Sequence, residues 1–294
     1  MPELPDIMTY QEALGERIAG HVLDQVRLRT PFLLRSVEPP LSAARGRRVV
    51  GVERLGKRLA IALEGDLWLV IHLMIAGRLH WKTRDASIGS KISLAAFDFD
   101  TGTLTLTEAG TKRRASLHVA GSRAALAEFD RGGLDIFAGT LDEFTARLTA
   151  GNHTLKRALT DPRAFDGIGN AFSDEILLDA RLSPLKLTLK LEPAEIERLW
   201  LACRTVLKTW IDRFREQRKG EFPEKVTAFR PEMAVHGKFG QPCPVCGSPV
   251  QRIRYADNET NDCARCQTGG RRLADRAMSR LLKEDWPRSL DEID

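Results

Sequence analysis

The first five residues, Met1-Pro2-Glu3-Leu4-Pro5, set a nucleophile beside an acid. Proline in second place permits removal of Met1, which leaves Pro2 with a free secondary amine. An α-amine titrates near ~7.7–8, against ~10.4 for lysine, so much of it is unprotonated at neutral pH. A secondary amine that attacks a sugar aldehyde carbon gives an iminium with no proton to lose, which is a strong electron sink for elimination. Glu3 is placed to act as general acid/base. The competing reading is a proline-stiffened start with no chemistry, and these five residues alone leave both open.

Near the other end stand Cys243-Pro-Val-Cys246 and Cys263-Ala-Arg-Cys266, with sixteen residues between the pairs. Four thiolates in two C-x-x-C knuckles suit one tetrahedral Zn²⁺ with a β-hairpin between them. A redox dithiol is the rival, but two pairs at ribbon spacing disfavour it. A four-cysteine site is closed, so the zinc is expected to fold the module, whose own core is too small to stand alone. From 263 to 283 there are five Arg and one Lys against one Asp. That excess fits a phosphate-gripping hairpin or a solvated face. Between the two ends lies Gly167-Ile-Gly169-Asn170. A Gly-x-Gly turn entering a helix bares N–H groups for a phosphate, although an ordinary corner between helices reads the same way. Lys156, on the preceding helix, is a candidate for the same phosphate.

The elements that must hold these groups follow from the hydrophobic pattern. Ile7, Tyr10, Leu14 and Ile18 recur at helical spacing. From about 20 to 120, short β-branched runs predict strands over 21–29, 48–54, 59–63, 67–72, 92–99 and 103–107, with hairpin turns at Glu64-Gly65-Asp66 and Asp100-Thr101-Gly102. This is an antiparallel sandwich or barrel. Helices are expected over 141–148, 154–159, 171–180 and 193–218, with Cys203 as a small buried hydrophobe on the last. A Pro- and Lys-containing connector, 220–236, leads to the cysteine module. The expected domains are therefore 1–130, 131–235 and 236–294. The net charge of +5 permits an anionic partner without requiring one. No run of 18 apolar residues and no signal-peptide pattern is found, so neither membrane nor secretion is expected. Two C-x-x-C pairs fit a reducing compartment, and a cytoplasmic, nucleoid-associated location is expected.

Five segments in this order resemble the formamidopyrimidine-DNA glycosylase / endonuclease VIII family: PELPD at 2–6, RLGKRL at 54–59, IHLMIAGRL at 71–79, FDGIGNAFSDEILLDARLSP at 165–184, and GKFGQPCPVCG with CARCQTGGR at 237–271. The resemblance implies an α+β multidomain fold. Its parts are an N-terminal β-sandwich with a flanking helix, a helical domain with a helix–two-turn–helix element, and a C-terminal zinc ribbon finger, with damaged double-stranded DNA in the cleft between the halves. It implies a base-excision glycosylase/AP lyase. Pro2 is the nucleophile on C1′, Glu3 the acid/base and Lys57 an assistant at the lesion phosphate. His72, Asn170 and Lys156 contact phosphate. One structural zinc, no small-molecule cofactor and a monomer are expected. The alternative on the same scaffold is a catalytically quiet binder of damaged DNA.

The chain departs from the family pattern where recognition is concerned. Ile75 stands at a usual wedge methionine, with Met74 beside it. Arg113-Arg114-Ala115-Ser116 lacks the usual wedge aromatic, leaving Arg113 or Arg114 to fill space. Asn258 replaces a phosphate-binding arginine, for which Arg252 or Arg254 are the candidate substitutes, and Asp6 stands where Glu is usual. A preference for 8-oxoguanine is thereby weakened, while the chemistry is spared. Lesion choice is expected to depend on the connector.

Overall fold

In the computed structural model, Leu4–Ile18 form α1, and its apolar stripe of Ile7, Tyr10, Leu14 and Ile18 is fully buried. Pro5 lies in the first turn, where its missing N–H costs no helical hydrogen bond. The structure describes the chain apart from Thr111, Lys225, Ala228, Ala256, Asp257, Ile293 and Asp294, and apart from the side chains of Arg276, Ala277, Met278 and Asp291.

Eight antiparallel strands follow: β1 (Val22–Leu28), β2 (Arg47–Leu55), β3 (Arg58–Leu63), β4 (Leu67–His72), β5 (Gly77–Lys82), β6 (Ser93–Phe99), β7 (Gly102–Glu108) and β8 (Ser116–Ala120). Their order is β5-β7-β6-β1-β2-β3-β4-β8. The β1–β2 pairing is confined to Val22↔Arg48 and Leu23↔Arg47, so the sheet divides there into two four-stranded leaves. Leu79, Phe97, Leu104 and Leu106 of one leaf share a core with Leu59, Ile61, Leu69 and Leu117 of the other. Both expected hairpin turns are present, since Leu63 pairs with Leu67 and Phe99 with Gly102. β5 and β8 were not among the strands read from the sequence. In β5, Leu79 is the one aliphatic side chain and lies between half-buried Arg78 and His80, so the apolar signal is thin.

The chain forms two compact units, Met1–Arg131 with Trp210–Thr227, and Gly132–Thr209 with Ala228–Asp294. In the second, α2 (Leu141–Leu148) begins with a reciprocal Thr140–Glu143 capping box. It is followed by α3 (Leu155–Thr160), α4 (Asn170–Asp179) and α5 (Pro193–Arg218), whose last turns belong to the first unit. Phe144 packs on Phe165 at 4.7 Å and on Trp200 at 5.2 Å, and Cys203 is fully buried. The module after residue 236 holds the hairpin β9 (Gln251–Arg254) and β10 (Glu259–Asp262), then α6 (Ala264–Thr268) and α7 (Arg276–Leu282). Among the described residues no helix is long and apolar enough to cross a membrane.

The connector is less free than its composition suggests. Phe222 and Val226 join the core of the first unit. Phe222 meets Tyr10 at 5.7 Å and carries the Arg17 guanidinium over its ring. Glu224 bonds His80 at 2.6 Å, and Arg78 Nε donates to the Val226 carbonyl. Lys225 and Ala228, in the same connector, lie outside the described residues.

Candidate active site and nucleic-acid interface

Glu3 is the N-cap of α1 and is 2% exposed, and Pro2 beside it is also buried. The Asp6 carboxylate accepts the Glu3 N–H at 3.0 Å. Asp therefore performs at this position the capping that a longer Glu would otherwise supply. The amino terminus, with Met1 in place, is held below its ordinary range. Burial is the main cause; the positive charges of Arg78 and Lys57 push the same way, and Glu3 and Asp6 oppose them. Burial and neighbouring cations both favour the neutral, nucleophilic form of an amine.

Lys57 is the second residue of a two-residue hairpin loop closed by Leu55↔Arg58. Gly56 takes the first loop position at φ 61°, a conformation side-chain-bearing residues seldom adopt. This tight turn fixes where the Lys57 stem starts. Its charge acts on the amino terminus and also on His72, at the end of β4. His72 pairs with Arg58 on one side and Ser116 on the other. Burial, then Arg58, Lys57, His118 and Arg131, lower its pKa to about 4. At neutral pH it therefore carries no charge, and the positive charge beside it is that of Arg58 and Lys57.

After His72 the chain makes a tight turn, with the Gly77 N–H donating to the Leu73 carbonyl at 2.9 Å. Any Cβ at Gly77 would collide with that carbonyl. Met74 sits at φ 53° and is half-buried, while Ile75 is 62% exposed. Of the two wedge candidates, Ile75 is the one held outward. Arg78 braces the turn by donating to the carbonyls of Ile75 at 3.2 Å and Gly77 at 2.6 Å. Reading the sequence for catalytic groups did not single out Arg78; its only signal was its place in IHLMIAGRL. Glu108 was missed as well. It is 1% exposed, and its two carboxylate oxygens accept the N–H groups of Arg114 and Ala115 at 3.0 and 3.1 Å. That grip turns Arg113 and Arg114 outward and keeps Ala115 in. Arg113 is steadied by the Lys91 carbonyl at 2.6 Å.

In the second unit, Gly167 at φ 78° turns the chain into α4, with Gly169 as N-cap and Asn170 as first residue. The Lys156 side chain is 12% exposed, and its ammonium pairs with Asp174 and donates to the Asn170 carbonyl at 2.7 Å. These two bonds tie α3 to the start of α4. Asp174 also accepts from His236 Nδ1 at 2.8 Å. The Glu175 carboxylate takes the N–H groups of Ala234, Val235 and His236 at 2.8, 2.9 and 2.9 Å. Adjacent acids of α4 thus seat the start of the cysteine module. The sequence showed these two acids but not their partners.

The sulfurs of Cys243, Cys246, Cys263 and Cys266 all lie within 4.8 Å of one another, and the Cys246–Cys263 pair is at 3.4 Å. A zinc at about 2.3 Å from each of four tetrahedral sulfurs requires separations near 3.8 Å, so the set fits one ion. The first knuckle closes with Gly247 N–H on the Cys243 carbonyl at 2.8 Å, and Gly247 has φ 77°. The basic hairpin is divided in role. Arg252 stacks over Phe239 at 4.2 Å and lies 3.9 Å from Glu259, while Arg254 is exposed. Asn258 is exposed in the connecting turn, where its carbonyl accepts the Tyr255 N–H at 2.8 Å.

Three family models match the chain in order: the formamidopyrimidine-DNA glycosylase N-terminal domain over residues 1–117, the formamidopyrimidine-DNA glycosylase H2TH domain over 137–218, and a zinc finger found in FPG and IleRS over 240–269. The formamidopyrimidine-DNA glycosylase of Heliobacterium modesticaldum is 35% identical over 284 residues, spanning 91% of this chain and all of that one. The crystal structure of the MutM (Fpg) protein of Thermus thermophilus is similar with TM-score 0.77 at 31% identity, covering 90% of this chain and 98% of that one. Lactococcus lactis Fpg in complex with FAPY-dG-containing DNA is similar with TM-score 0.80 at 25% identity, covering 90% of this chain and all of that one.

Proposed function

This chain belongs to the formamidopyrimidine-DNA glycosylase family, and on that premise we propose that it removes an oxidised base from duplex DNA and then cuts the strand, using Pro2 as covalent nucleophile. The observation that carries the reading is the burial of Pro2 and Glu3 at the chain start, where burial and the charges of Arg78 and Lys57 lower the pKa of the Met1 amine against the opposing pull of Glu3 and Asp6.

Removal of Met1 frees the Pro2 nitrogen. That nitrogen bonds to C1′ as the bond to the base breaks, and the proton it carried leaves with the base. Glu3 protonates the ring oxygen, so the sugar opens and the adduct becomes an iminium. The iminium acidifies the C2′ hydrogen. Loss of that proton expels the 3′ phosphate, a second elimination releases the 5′ phosphate, and water frees Pro2. Lys57 and Arg58 hold the phosphate beside the lesion. The target carbon is inaccessible within a base pair, so the nucleotide must leave the helix at a cost of a few kcal/mol. Ile75, rigidly turned outward, is the side chain best placed to enter the gap. The zinc, when bound, fastens the cysteine module into a DNA-gripping hairpin on which Arg254 is the exposed cation, with no part in bond making.

The test is the Pro2→Gln variant, whose bulky second residue keeps Met1 and so leaves no amine at this position, on a duplex carrying an oxidised purine. Base release and strand cleavage should both fall to background while duplex binding persists. Retention of both activities would refute the assignment and favour catalysis by another group.

A further inference from the structure

The most exposed aromatic side chain among the described residues is Phe32, at 77%. It is nevertheless on a rigid mount. Pro31–Leu33 form a single 3₁₀ turn after β1, anchored by Leu33 at 2% exposure. Leu34 bridges Leu117 of β8, and the Arg35 N–H donates to the Leu117 carbonyl at 2.9 Å. Phe32 rims an open cavity of about 460 Å³. Leu33, Leu94 and Ala115, each at 4% exposure or less, line it with Thr30, the cations Arg35 and Arg113, and the buried Glu108 carboxylate, whose oxygens are taken up by the Arg114 and Ala115 N–H groups.

The position of the cavity is informative. Ala115 precedes Ser116, which pairs with His72, so the cavity opens at the end of the sheet from which the Met74–Ile75 turn projects. None of Pro2, Glu3 or Lys57 lines it, so it does not serve the reacting nucleotide. Aliphatic side chains, one aromatic wall and two guanidinium groups against a single carboxylate already bonded to backbone N–H groups suit a planar group with a polar edge on an anionic strand.

We propose that this cavity receives the base left unpaired opposite the extruded nucleotide, with Phe32 stacked on its face and Arg35 and Arg113 at its edge and phosphate. This rests on the reading that the chain flips a nucleotide out of duplex DNA. The small, buried Ala115 leaves the room, and Phe32 supplies the stacking surface from a different element.

The experiment measures binding of the full chain to a duplex with a stable abasic analogue opposite 2-aminopurine, beside an undamaged duplex. Phe32→Ala should weaken the first about 5- to 150-fold, the range of one lost base–aromatic stack, and leave the second within about twofold of wild type. Phe32→Trp should restore affinity and quench the 2-aminopurine. Equal affinity of Phe32→Ala and wild type for the abasic duplex, or equal weakening on both duplexes, overturns the inference. Borohydride trapping on single-stranded abasic DNA, which has no opposite base, should not change in Phe32→Ala. Absence of trapping in the wild type would strike the covalent reading, while the binding comparison would still decide the role of Phe32.

Discussion

A terminal imino group reacts only if it is neutral at working pH and close to an acid. Burial of Pro2, beside a Met1 amine held below its ordinary range, favours the first condition, and the N-cap position of Glu3 supplies the second. Glu3→Gln removes the acid while keeping shape. Excision of a damaged base should fall by roughly 10²–10⁴-fold, the usual worth of such a group, with a smaller loss on a preformed abasic site where the base has already gone. Equal losses in the two assays would contradict this division of labour. His72 illustrates the opposite tuning. Its pKa is lowered to about 4 from an ordinary 6.5, so the unfolded chain takes up a proton there before the folded one does. Folded stability is thus eroded progressively as pH falls from 6.5 towards 4. In His72→Gln that erosion should be smaller, and thermal unfolding of the two proteins should converge or cross between pH 7 and pH 4.5. A constant gap in melting temperature across that range would show that His72 is not held neutral.

At the scale of elements, each reactive group is aimed by a short, constrained turn. The Gly56-Lys57 hairpin aims the lysine, the Leu73–Gly77 turn aims Ile75, and the Glu108 carboxylate shapes the loop of Arg113 and Arg114. Much of this was legible. The periodicity of α1 and α5, six of the eight strands and the cysteine spacing all came from residue order, because each is a local pattern. What was not legible is pairing at a distance. Nothing in the order of residues says that Asp174 will claim Lys156, or that Glu175 will take three N–H groups near residue 235. Those contacts tie α3 to α4 and seat the cysteine module. Cys246→Ser tests that module as a unit. It should abolish zinc retention and lower affinity for damaged and undamaged duplex alike by about tenfold, through lost phosphate contacts. Retained zinc with unchanged affinity would remove the module from the DNA interface.

Across the whole molecule, the net charge of +5 says little. Specific placement matters more: cations near the amino terminus in one unit, and a basic hairpin in the other. The family was legible from five short segments, since they sit where the backbone is most constrained. Lesion choice was not: Ile75, Ala115 and Asn258 stand where this chain departs from the family pattern, and the connector is not among the five segments. The central claim is a covalent bond between Pro2 and the deoxyribose. Its most direct test is borohydride reduction of the Met1-free protein with an abasic duplex, followed by peptide mapping of the adduct. The expected result is one reduced DNA cross-link on the amino-terminal peptide, at Pro2; an adduct on a lysine, or none, would contradict the account.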